Sequence, residues 1–144
     1  MLSQTAEYAL RAMVHLARRG TGAQPAQADE IAEALGVPRN YLSKILHALT
    51  RGGLLESTRG RRGGFQVAGD PTKLPLARIV EVFEPEFLAG DRRCLLGRPV
   101  CRDEQACPAH SQWKVVSDAL RDFFQKTSLA DLGAPEEGEP PVSD

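Results

Sequence analysis

The sequence predicts a mainly α-helical fold with a small β-hairpin, arranged as a winged helix-turn-helix plus a long C-terminal helix. Three observations carry this. Apolar residues recur at helical spacing in several separated stretches. Gly or Pro marks the boundaries between them. Two short segments flank a Gly/Arg-rich turn soon after the third helical stretch, which is the pattern of a hairpin. The chain has 144 residues, about one ordinary domain.

The elements follow in order. A first helix is expected from Ser3 to Arg19, with Leu10, Met13, Val14 and Ala17 on one apolar face. GTGAQPAQ (20–27) reads as a loop. A second helix covers Ala28 to Leu35, with Ile31, Ala32 and Leu35 inward, and Gly36 ends it. A third starts near Pro38 and runs to Arg51 on a core face of Leu42, Ile45, Leu46 and Leu49. Segments 54–58 and 65–68 form the hairpin, and 69–75 connect it to a short helix over 76–84 that Pro85 stops. Residues 88–108 read as loop, and a long helix follows from Ala109 to Ser128. Its Trp113, Val116, Leu120 and Phe123 repeat at a/d spacing. The ending GAPEEGEPPVSD is acidic and Pro-rich, with the composition of a disordered tail. The organisation expected is a DNA-binding unit over 1–70, a ligand loop and helix over 71–132, and the tail over 133–144.

Composition narrows the function. No apolar run reaches the ~18 residues of a membrane span. Glu7 and Arg11 interrupt any signal-peptide core, so the expected setting is the cytoplasm, where thiols stay reduced. The net charge of −1 hides an asymmetry. Residues 1–69 carry nine Lys/Arg against five Asp/Glu, a net +4, and residues 70–144 carry nine against fourteen, a net −5. A basic half beside an acidic half points to nucleic-acid contact by the first alone.

The stretch ADEIAEALGVPRNYLSKILHAL has the grammar of a helix-turn-helix. Gly36 makes the tight turn, Ala32 allows close approach, and Leu42 and Ile45 pack the second helix on the first. Arg39, Asn40, Tyr41, Ser43 and Lys44 then lie near the end of the helix that enters a major groove. Arg can pair with guanine and Asn with adenine, whereas Tyr41 suits a phosphate at most. In the hairpin turn, Arg59, Arg61 and Arg62 stand among three glycines within 59–64. Arg supplies charge, and Gly lets the backbone lie against a phosphate or in the minor groove. The same turn would also suit a plain solvated hairpin; its place after a helix-turn-helix favours DNA. The turn lacks the spacing of a nucleotide-binding P-loop.

The cysteines fall in one stretch, CLLGRPVCRDEQACPAH (94–110). The spacing is C-x6-C-x5-C-x2-H, with Cys94, Cys101, Cys107 and His110 as a full four-ligand set. Zinc would accept it, and so would an iron–sulfur cluster. The long gaps, without tight two-cysteine knuckles, favour the larger object. Arg92, Arg93, Arg98 and Arg102 nearby would depress thiol pKa values. No separate acid/base constellation is readable, so the chain is not expected to be an enzyme.

These residues together resemble the Rrf-two family of bacterial winged-helix transcription regulators, of the iron–sulfur-cluster and nitric-oxide-sensing types. LSQTAEYALRAMVHLA is similar to that family's first helix, and VPRNYLSKILHALTRGGLLESTRGRRGGF to its recognition helix and wing. PTKLPLARIVEVFE precedes the sensor loop, and TSLADL resembles the family's ending. The resemblance spans nearly the whole chain. It implies that Cys94, Cys101 and Cys107 hold a 2Fe–2S or 4Fe–4S cluster. It offers two fourth ligands: His110, or Glu7 of the partner subunit, and both residues are present. Zinc remains the alternative metal. The first cysteine gap is six residues where the family usually has five, and Ser43 stands where the iron–sulfur type has a glutamate tuning DNA selectivity. The implied assembly is a homodimer through the Trp113/Val116/Leu120/Phe123 stripe, bound to a double-stranded operator and away from membranes.

Overall fold

The computed structural model describes residues 2–89, 94–99 and 101–134. The elements are α1 (Gln4–Arg18), α2 (Ala28–Leu35), α3 (Arg39–Arg51), β1 (Leu55–Thr58), β2 (Gly64–Val67), α4 (Leu76–Phe83), α5 (His110–Lys126) and α6 (Leu129–Gly133). Single 3-10 turns sit at Pro71–Lys73 and Asp103–Gln105. The expected helices and hairpin are all present to within two residues at each end.

Helix α1 starts where the Ser3 side chain accepts the Ala6 N–H at 3.2 Å. Its buried face is Ala6, Ala9, Ala12, Met13 and Leu16. The sequence pattern had pointed to Leu10, Met13, Val14 and Ala17; of these only Met13 is fully buried, and the others are half-buried against the core. The reason is steric. Three alanines let α1 lie at the centre of the fold, against α3, α4, α6 and β2, where larger side chains would hold the helices apart.

Helices α2 and α3 form the helix-turn-helix. Gly36 takes the left-handed conformation (φ 64°), and the Val37 N–H closes the end on Ala32 C=O at 3.0 Å. On α3 the four expected core residues, Leu42, Ile45, Leu46 and Leu49, are all buried. Strands β1 and β2 pair antiparallel, Leu55 with Val67 and Thr58 with Gly64. The wing is pinned to the base of α2 by a two-way bridge: Ala26 N–H to Phe65 C=O at 2.9 Å and Phe65 N–H to Ala26 C=O at 2.7 Å. Gly64 (φ 142°) is required there, since a Cβ would fall 2.3 Å from the Ala26 oxygen.

The last described helix, α6, returns to pack against α1. Leu76 N–H donates to Thr127 C=O at 3.0 Å, and Leu129 N–H to Leu74 C=O at 2.7 Å. A capping box of Ser128 and Asp131 starts α6 and seats Leu129 in the core. This five-residue helix had no counterpart in the sequence reading. One core runs from Ala9 through α2–α4 to Leu88, Phe124 and Leu129. It is continuous across residue 70. Arg92, Arg93 and nearly all of the acidic tail lie outside the described residues.

Candidate nucleic-acid interface and metal centre

Arg39 and Asn40 open α3 and are exposed, as is Lys44 one turn on. Arg39 forms an ion pair with Asp29 of α2. Ser43 is half-buried on the flank. Tyr41 turns inward: its hydroxyl hydrogen-bonds the Thr5 hydroxyl, and its ring meets Tyr8 edge-on at 5.8 Å. It thus seats α3 on α1. His47 and Arg51, which the sequence reading passed over, are also exposed. With Asn40 and Lys44 they fall at i, i+4, i+7 and i+11, one polar row along the helix. That spacing was the signal that would have found them. In the wing, Arg59, Arg61 and Arg62 are all exposed. The Gln27 side-chain amide donates to the Arg61 carbonyl at 3.1 Å, tying the wing turn to the start of α2. Two arginine-bearing edges, the α3 N-terminus and the wing turn, are therefore both tied to the N-terminal end of α2, through Asp29 and Gln27.

The cysteine segment wraps the start of α5. Cys94, Cys101 and Cys107 are free thiols of intermediate exposure. The Cys94–Gly97 turn closes with Gly97 N–H on Cys94 C=O at 3.0 Å. It presents the backbone N–H groups of Arg98 and Leu96 to the Cys94 sulfur. Those hydrogen bonds, with the Cys107 thiol and the Arg98 charge, hold the Cys94 thiol below its usual pKa. Arg98, one of the four arginines expected to do this, acts mainly through its main chain; Arg92 and Arg93 lie outside the described residues.

His110, the first residue of α5, is only 6% exposed. Its Nδ1 faces Cys101 Sγ at 3.5 Å, and its Nε2 meets Asp103 Oδ1 at 2.8 Å. Lys114 Nζ reaches both Asp103 oxygens, at 3.3 and 3.2 Å. The His110 hydrogen bond first, and then Lys114, hold the Asp103 carboxyl below the usual carboxylate range. Glu7 is exposed on α1. Arg11, one turn on from it, donates to Leu35 C=O at 2.8 Å and lies over the Tyr8 ring.

The donor types fit a metal or iron–sulfur group: soft thiols, and an imidazole whose second nitrogen is held by a carboxylate. The expected single four-ligand group is not assembled. Among the described residues no three His, Cys, Asp or Glu side chains converge on one centre. Cys101 with His110 and Cys94 with Cys107 stand instead as two pairs. The segment has little core of its own to gather them, and in such loops metal binding and folding are coupled.

A family model described as Rrf2, iron-dependent transcriptional regulator, matches residues 2–135. The chain is 32% identical over 134 residues to an HTH-type transcriptional regulator of Aquifex aeolicus, covering 92% of this chain and 90% of that protein. Among solved structures it is similar to CymR, the global cysteine regulator of B. subtilis. The TM-score is 0.77, with 23% identity over 92% of this chain and 95% of that one, a likeness of fold. It is also similar to IscR of T. potens, with a TM-score of 0.70 and 25% identity over 92% of this chain and 85% of that one.

Proposed function

This chain belongs to the Rrf2 family of transcriptional regulators, and from that premise we propose a homodimeric, cytoplasmic DNA-binding switch that reads iron–sulfur, redox or nitric-oxide status. Cys94, Cys101, Cys107 and His110 hold the cluster. Arg39, Asn40, Ser43 and Lys44 meet an operator's major groove, and Arg59, Arg61 and Arg62 meet its backbone or minor groove. Tyr41 serves by fixing α3. The observation that carries the reading is His110, at once a member of the thiol segment and the first residue of α5. A change in what the segment binds acts directly on that helix.

When bound, an iron–sulfur cluster supplies a centre whose charge and ligation respond to oxidants and nitric oxide. The protein's part is mechanical. The thiols and His110 tie the segment to the α5 N-terminus. Phe124, near the other end of α5, packs edge-on against Phe87 at 5.7 Å and joins the DNA-binding core. Along α5, Val116 (55% exposed) and Phe123 (49%) remain uncovered, which favours a second copy of the chain as the partner. Two recognition helices set by one dimer axis bind DNA with strong sensitivity to their separation. A small shift of α5 therefore shifts the population of binding-competent dimers. Among the described residues no helix is long and apolar enough to cross a membrane.

The test is an absorption spectrum of protein purified without air, with iron, sulfide and zinc assayed on the same sample. A brown protein with matching iron and sulfide is expected. Colourless protein with one zinc per chain would make the segment a structural zinc site and remove the sensing role. Cys101→Ala is expected to abolish the response of DNA binding to nitric oxide and iron chelation; an unchanged response would also sink it.

A further inference from the structure

Asp103 has no evident structural reason to be where it is. Its side chain is 66% exposed, on a single 3-10 turn within a polar loop. Yet it is bracketed by two residues of α5, His110 and Lys114, one helical turn apart on the same face. His110 is the buried polar member of that set. A carboxylate can only accept, so the contact at 2.8 Å assigns the imidazole proton to Nε2. The Nδ1 lone pair is then left facing the Cys101 sulfur. Lys114, Asp103, His110 and Cys101 form one chain of contacts, with His110 its buried member. It has the form of the outer-shell carboxylates that orient metal-binding histidines.

We infer that Asp103 is the positioning residue for His110 as a metal ligand, with Lys114 as the clamp that holds its carboxylate in place. This rests on the reading of the segment as a metal site. It makes the fourth ligand intrachain, so that one chain carries the whole set and Glu7 of the partner subunit is not needed. It also gives the ligand a defined tautomer before the metal arrives, whereas the thiols gather around it.

The test uses full-length protein purified without air. Iron release to a ferrous chelator is followed at the visible band, beside the reduction midpoint and thermal melting of the same samples. Asp103→Leu, which removes the acceptor, is expected to release iron faster, within the roughly 10- to 100-fold range typical of outer-shell loss. Asp103→Asn keeps an acceptor for Nε2–H, so release returns toward the wild-type rate, while loss of the charge raises the midpoint. Lys114→Met falls between. In the double variant with His110→Ala, Asp103→Leu is expected to add nothing to the loss from His110→Ala alone.

Wild-type release by Asp103→Leu, from a wild-type protein that holds its cluster, would overturn the inference and leave the proposed function standing. Additive losses in the double variant would overturn it too, since Asp103 would then act other than through His110. A wild-type chain with neither iron nor sulfide would end both. Asp103 is exposed, and the melting curves check the folding of each variant directly.

Discussion

The Arg39 guanidinium is ion-paired through its Nε with Asp29 Oδ1, linking the first turn of α3 to the first turn of α2. Both side chains are more than half exposed, so the pair contributes little to stability. Its effect is on direction. Engaging Nε leaves the two terminal nitrogens free, and those are the atoms that reach guanine O6 and N7. Arg39→Ala should weaken binding to a sequence selected from a random duplex pool by about 1–3 kcal/mol, with a smaller loss on random DNA. Equal losses on both would remove Arg39 from the base-reading set. Asp29→Asn should lower the ratio of selected to random binding while strengthening binding to random DNA.

The wing makes a different kind of contact. Gln27 holds the Arg61 main chain, leaving the Arg61 side chain exposed at the turn. Arg61→Ala should weaken all sequences alike and reduce the slope of log K against log salt by about one unit. Titrations between low and moderate salt read this directly. An unchanged slope would take Arg61 off the phosphate backbone.

Helix α5 has 17 residues, of which only His110 and Phe124 are buried. If α5 forms the proposed dimer seam, the wild type sediments as a dimer at micromolar concentration and Val116→Glu or Phe123→Glu sediments as a monomer. Thermal melting of the monomer should change little, because neither residue belongs to the buried core. A dimer that survives both substitutions would place the interface elsewhere.

His15 gives a pH dependence. It is half-buried on α1, with Nε2 buried and without a hydrogen-bond partner among the described residues. Burial first, and then the charges of Arg19 and Arg18, lower its pKa, with Glu30 opposing. The folded state therefore favours the neutral ring. As pH falls below about 6.5 the unfolded chain takes up the proton first, so stability is present above that pH and declines below it. Urea midpoints should fall between pH 7.5 and 5.5 for the wild type and fall less for His15→Gln. Equal slopes would discount His15.

The DNA-binding half was legible because its signals are local. Gly36 can be read as a left-handed turn, and Leu42, Ile45, Leu46 and Leu49 as a stripe, without knowing their neighbours. The face of α1 was not legible in the same way. Its alanines carry little hydrophobic signal, and their value lies in the closeness they permit to four other elements. Helix α6 is too short to show a period, and Leu129 is buried only because the Leu74–Leu76 segment comes back to meet it. Asp103 looked like any charged loop residue. Its relation to His110 exists only once the loop has folded back on α5.

The return of Thr127–Leu129 to Leu74–Leu76 has a practical consequence. The residues before 70 contain the whole reading head, yet Ile79, Val80, Phe124 and Leu129 close its underside. A proteolytic fragment stopping after the wing would have the right letters for DNA and no floor beneath them. Trimming from the other end is no safer: a chain cut before Leu129 would lose the last plank of that floor, although the cut lies more than sixty residues beyond the wing. The first seventy residues and those that follow share one buried core, and neither part keeps it alone.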